Sequence, residues 1–181
     1  LVPNLKNIAK DVDDNPFLRG RAIDSLAWFT GDLPELGEFK KLAIPIQRSL
    51  VDFITRFGAE EGLLVNIAKS ENIETIIRTI ALKNLSTYPD IKITDFLIEI
   101  AQDRSLDDHL RQAALEALSK HENKQTIEEP VLRIFTNPNE SSFLRMEAFE
   151  TLKDLKYVPT SEDSIKLQYS DWITDMGFKQ L

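Results

Sequence analysis

Apolar residues recur along this chain at a fixed helical spacing, within a nine-residue pattern that appears four times. Leu18-Arg19-Gly20-Arg21-Ala22-Ile23-Asp24-Ser25-Leu26 aligns with Ile77-Arg78-Thr79-Ile80-Ala81-Leu82-Lys83-Asn84-Leu85. The same frame holds Leu110-Arg111-Gln112-Ala113-Ala114-Leu115-Glu116-Ala117-Leu118, and it returns as Leu144-Arg145-Met146-Glu147-Ala148-Phe149-Glu150-Thr151-Leu152. The anchor and the residues four, five and eight places after it share one face of an α-helix. A strand cannot use this spacing, because its faces alternate with period two. The Ala at offset four predicts close approach to a neighbouring helix.

Successive anchors at Ile77, Leu110 and Leu144 lie 33 and 34 residues apart, whereas Leu18 and Ile77 are separated by 59. A degraded copy fills that gap: Ile46, Leu50, Val51 and Ile54 occupy the four apolar offsets, with Arg48 one place late and Leu50 in place of Ala. Ten residues before the regular anchors stand elements that predict a first helix, Asn4 to Lys10, Leu64 to Lys69 and Leu97 to Gln102; for Val131 to Phe135 the offset reads as nine. Turn formers separate the two helices. Asp13, Asn72, Ser105 and Asn139 each sit six residues before a regular Arg and read as turn or cap residues. In the irregular copy, Leu33-Pro34 predicts a short first helix, and Pro45 suits the opening turn of the second.

The expected organisation is one all-α domain of about five helical hairpins, approximately residues 1–30, 31–57, 58–88, 91–121 and 126–157. A terminal helix over 160–181, carrying Ile165, Leu167, Tyr169, Trp172, Ile173 and Met176, would cap the last core face. The pattern resembles the HEAT repeat, and especially the bacterial HEAT-like form, shared with bilin lyases, in which a short Asp/Pro turn leads into "VR..A..AL". Here Asp13-Asp14-Asn15-Pro16-Phe17-Leu18-Arg19 and the stretch from Leu110 to Leu118 carry the likeness. The resemblance covers roughly residues 1–157. It implies a right-handed α-α superhelix, a HEAT/ARM-like solenoid, and a role as a scaffold or binding platform.

Composition narrows the role. The net charge is −8 with 22 Lys/Arg against 30 Asp/Glu, which argues against a phosphate-backbone binder and hence against nucleic acid as partner. Absence of cysteine excludes disulfides and thiolate chemistry. No apolar run approaches the ~20 residues of a membrane span, and no targeting segment is visible, so a cytoplasmic location without membrane contact is expected for what reads as a fragment or a processed form.

Candidate chemistry is sparse. Arg19, Arg78, Arg111 and Arg145 form a register-locked set that reads as structural, bridging turn carbonyls and carboxylates. His109 and His121 fall near opposite ends of one predicted helix, about 18 Å apart by helical rise, too far to share a metal. A single His121-Glu122 pair does not match deoxyhypusine hydroxylase, which uses several such pairs for two irons. HEAT-like DNA glycosylases need a basic groove, and Trp28 reads as core at a helix end. No P-loop, GxGxxG, GxSxG or HExxH pattern occurs. Neither a catalytic residue nor a cofactor is therefore expected. The outward second-helix positions, two and six after each anchor, remain: Gly20 and Asp24, Thr79 and Lys83, Gln112 and Glu116, Met146 and Glu150. They form the candidate concave surface of a non-enzymatic interaction scaffold for a protein or peptide, basic or amphipathic. The alternative is an accessory domain or subunit of an enzyme, bilin lyase-like or part of a larger multidomain enzyme.

Overall fold

A computed structural model describes residues 1–30, 38–57 and 61–158. These residues form nine α-helices and no strand: α1 (Val2–Lys10), α2 (Pro16–Phe29), α3 (Ile44–Phe57), α4 (Glu61–Lys69), α5 (Thr75–Asn84), α6 (Ile91–Gln102), α7 (Asp108–Leu118), α8 (Lys124–Thr136) and α9 (Ser142–Asp154). A single-turn 3-10 helix, Phe39–Lys41, precedes α3, and another, Leu85–Thr87, follows α5. The expected terminal helix over 160–181 and the Leu33-Pro34 segment lie outside the described residues.

Two compact bodies result, Leu1–Tyr88 and Pro89–Leu181. In the first, α1 packs on α2 and α4 on α5, while the second helices α2, α3 and α5 meet in sequence. In the second, α6 packs on α7 and α8 on α9, α7 meets α9, and α6 meets α8. Each body is thus a two-layer assembly of hairpins. The repeat alanines Ala22, Ala81, Ala114 and Ala148 are all buried, as are Ile46, Leu50, Val51 and Ile54 of the irregular copy.

One interaction fixes every regular hairpin. Arg19 donates from Nε to the Ala9 carbonyl (3.1 Å), Arg78 to Ala68 (2.8 Å), Arg111 to Ala101 (3.0 Å) and Arg145 to Phe135 (2.9 Å). Each acceptor is the penultimate residue of the first helix, ten residues upstream. The last four carbonyls of a helix lack intrahelical donors, and a cation is favoured at that negative end. The fourth hairpin obeys the same ten-residue rule, which corrects the offset of nine read from its apolar residues. Its Phe135 replaces a small Ala, rests against Phe149 with ring centroids 5.7 Å apart, and leaves Arg145 half-buried where the other three are buried.

The turns follow the same register. Asp11, Asp103 and Asn137 follow the first helices directly, and their side chains accept the N–H groups of Asp13, Ser105 and Asn139. These last three are therefore donors within an Asx turn, the turn role of the two expected of them, and the caps stand two residues further on. The Ser105 hydroxyl also donates to Asp103 (2.6 Å), and with the Ser105 N–H it holds the Asp103 carboxyl below its ordinary pKa. Four residues before the Arg, Asn15, Asp107 and Ser141 cap the second helix. After α9 the chain closes in a Schellman motif: Tyr157 N–H reaches the Leu152 carbonyl, Lys156 N–H reaches Lys153, and Lys156 adopts φ 57°.

Two sequence expectations fail in the first body. Leu18 is 48% exposed, whereas the anchors Ile46, Ile77, Leu110 and Leu144 are buried. Gly20 is buried rather than outward, because a Cβ there would lie 3.0 Å from the Pro45 carbonyl oxygen and 3.1 Å from Ser49 Oγ. Helix α3 therefore lies close against α2 at Gly20. Two residues turn a helix by about 200°, so Leu18 occupies the opposite flank.

Arg111 carries a second duty. Its Nη1 donates to Glu140 Oε2 at 2.8 Å, with the two side chains 4% and 6% exposed, and Arg104 lies 3.5 Å from the other Glu140 oxygen. Arg111→Met should cost about 3 kcal/mol or more, because it removes the close buried partner of the Glu140 carboxylate and leaves only the more distant, exposed Arg104. Arg19→Met, which removes one carbonyl bond and strands no charge, should cost about 1–3 kcal/mol. Urea unfolding of both variants measures the order, and equal losses would refute the distinction. Ala114→Phe at a fully buried site should lose roughly 1–3 kcal/mol by overpacking; an unchanged melting temperature would mean that Ala114 faces no neighbouring helix.

Candidate functional site

The buried stripe of α2 runs through Arg19, Gly20, Ala22, Ile23, Leu26 and Ala27. Its outward residues include Phe17, Arg21, Asp24 and Trp28, spaced so that they follow one another up one side of the helix. Helix α3 sets Arg48, Asp52 and Arg56 at four-residue intervals beside them. Together these side chains line a groove of about 950 Å³, which Gly20, Ala27, Ala43, Ile44, Pro45, Ser49 and Phe53 also border.

The aromatic content of this groove differs from the sequence expectation. Trp28 is 75% exposed and Phe17 69% exposed, so Trp28 is not core. The Arg56 guanidinium carbon stands 4.1 Å from the Trp28 ring centroid, within cation–π range. A signal for this was present. Trp28 and Arg56 are each ten residues after their anchors Leu18 and Ile46, one helical turn beyond offsets two and six. In the second body the same offset holds Lys120 and Asp154, an ion pair at 3.6 Å.

Arg48 is likewise reassigned. The residue equivalent to the repeat Arg is Gln47, buried, whose Nε2 donates to the Phe39 carbonyl (3.0 Å). Arg48 is therefore no displaced copy of the frame residue. One step further round the helix, it reaches the groove.

Of the predicted surface residues, Asp24 lines the groove, half-buried and 4.0 Å from Arg21 Nη1. On α5, Thr79 donates to the Thr75 carbonyl (2.8 Å) and Lys83 is exposed. In the second body Gln112 donates to Glu147 (2.9 Å), Glu116 and Met146 are half-buried, and Glu150 pairs with Lys153 (2.8 Å), raising the Lys153 pKa by that hydrogen bond and its charge. The second-helix surface is thus divided between the two bodies. The repeat arginines, directed to the first helices, take no part in it.

Charge is also divided. Residues 1–88 contain eleven Lys/Arg against twelve Asp/Glu, and residues 89–181 eleven against eighteen. The acidity of the chain therefore belongs mainly to the second body, and the groove in the first is bordered by three Arg and two Asp. Among the described residues no three His, Asp or Glu side chains converge in metal-binding geometry. Buried His121 lies with Nδ1 2.9 Å from Thr94 Oγ1, and exposed His109 meets the edge of Phe143 at 5.8 Å. No described helix is long and apolar enough to cross a membrane.

Helical hairpins repeated at 33- and 34-residue intervals and packed layer on layer make this an all-helical repeat-type protein. More than half of the chain, residues 48–156, matches the family described as the Vitellogenin TPR domain, and the chain belongs to that family. The match begins within α3 and so includes Arg48, Asp52 and Arg56, while the α2 wall of the groove precedes it. No curated protein matches the chain.

An exposed Trp28 should be freely quenched by acrylamide. With Trp172→Phe leaving it as the sole indole, its emission should be that of a solvated ring. Arg56→Ala should lower stability by only about 0.5–1 kcal/mol. A blue-shifted, quencher-resistant emission would return Trp28 to the core.

Proposed function

We propose that this chain is a non-enzymatic interaction scaffold, a HEAT-like α-solenoid that binds a protein or peptide on the surface of its second helices. The Arg-to-carbonyl bond repeated in four hairpins supports a HEAT-like frame, since it sets the same register between the two helices of each hairpin. The observation that carries the binding reading is the α2–α3 groove, where Phe17 and Trp28 stand exposed beside arginines in a cleft of about 950 Å³. Exposed aromatic rings next to guanidinium groups are the side chains that dominate binding energy at protein interfaces. Their positions are fixed by a packed helix pair, so a ligand meets a preformed site at small ordering cost.

An amphipathic partner is the one this groove fits, with apolar side chains set between Phe17, Ile44 and Trp28. Selection of a random displayed peptide library against the full chain tests the reading. Enriched peptides are expected to converge on an apolar motif, and Phe17→Ser with Trp28→Ala should weaken them by about 2 kcal/mol or more, roughly 30-fold. Failure to enrich any sequence dependent on these two rings would overturn the proposal.

A further inference from the structure

The charged side chains within the groove are unequally satisfied by partners in the chain. Asp24 is already engaged by Arg21 at 4.0 Å, and Asp52 accepts from Asn84 Nδ2 at 3.5 Å. Arg48 is exposed and has neither an ion pair nor a hydrogen bond among the described residues. The Arg56 guanidinium carbon stands over the Trp28 ring, and its N–H groups have no acceptor among the described residues.

We infer that the groove binds an acidic amphipathic peptide that places one carboxylate on Arg48 and a second on Arg56, with apolar side chains between them. This rests on the scaffold reading above and specifies its ligand. Guanidinium presents N–H donors in a planar fork that matches a carboxylate, and a ring-stacked Arg loses little freedom on pairing. Arg48 and Arg56 are eight residues apart on α3, about 12 Å along the axis. Asp52, midway between them, disfavours a carboxylate at the centre of the ligand and leaves that stretch for apolar contact with Phe17 and Trp28. The first turn of α3 also borders the groove at Ile44 and Pro45, so the positive end of that helix dipole favours an anion on the Arg48 side.

The test uses the full chain carrying Trp172→Phe and two synthetic amphipathic peptides with one shared apolar face. One carries Glu at two positions separated by two helical turns, and the other carries Lys there. Trp28 fluorescence reports binding. The Glu peptide is expected to bind at least tenfold tighter, to weaken as salt rises, and to lose its advantage in Arg48→Gln. Arg48→Glu is expected to reverse the order. Because Arg48 is exposed, both variants should melt with the parent chain, which a thermal scan checks. Equal or tighter binding of the Lys peptide, or an order indifferent to Arg48, would overturn the acidic-ligand inference and leave the scaffold reading intact. Silence from both peptides, with library-selected peptides still dependent on Trp28, would do the same. Silence from both together with a library that enriches nothing would sink the scaffold reading as well.

Discussion

The bond from the second-helix guanidinium to the last turn of the first helix is the constraint from which the rest of this structure follows. A helix that ends against a packed neighbour leaves carbonyls that water cannot reach freely, and each unpaired one is costly. A long side chain anchored one place after the second-helix anchor can cross the turn and satisfy one of them. Its reach then sets the turn length, and all four regular hairpins have the same ten-residue separation. It also explains the small Ala9, Ala68 and Ala101 at the acceptor positions, since a bulky residue would push the guanidinium outward. Phe135 is the exception, and its Arg145 is the least buried of the four.

With the hairpins fixed in this way, second helices lie side by side in each body and their side chains meet in register. Asp52 meets Asn84 in the first body, and Gln112 meets Glu147 in the second. In each pair the partner sits one offset further along its own helix. Offsets two, six and ten are put to a different use in each hairpin, some in these lateral pairs and some in the groove. Helix α2 spends its offset-two position on Gly20, which brings the Pro45 carbonyl close. A groove forms above that contact because the walls, Phe17 and Trp28 on one side and Arg48 and Arg56 on the other, continue outward where Gly20 adds no side chain to the floor.

Much of the frame was legible in the sequence, since apolar period, Ala at offset four and Arg at offset one all arise from local geometry. The degraded second hairpin was recognisable from Ile46, Leu50, Val51 and Ile54 for the same reason, and all four are buried. The site was harder to read. Trp28 is apolar and stands next to Leu26 and Ala27, so composition places it in the core, whereas its angular position places it in solvent. The expected role of Leu18 failed on a related point: an anchor is buried only if another helix lies on that flank. Turn residues were legible as a class, but which of them accepts and which donates depended on backbone direction at Asp11, Asp103 and Asn137. The net charge of the chain averages over two bodies that differ in acidity, so it does not describe the surroundings of the groove.

Gln47 and Arg48 show how a single position separates frame from function. At offset one a buried side chain is needed to reach back to the preceding helix, and in the irregular hairpin the acceptor is the Phe39 carbonyl, only eight residues away. The shorter Gln suffices there. An arginine in that place would have been consumed by the frame, as Arg19, Arg78 and Arg111 are. Moved one residue on, about 100° round the helix, Arg48 keeps a charged group at the surface with no acceptor of its own among the described residues. The irregularity of the second hairpin is therefore the physical reason that α3 can present an uncommitted guanidinium to the groove.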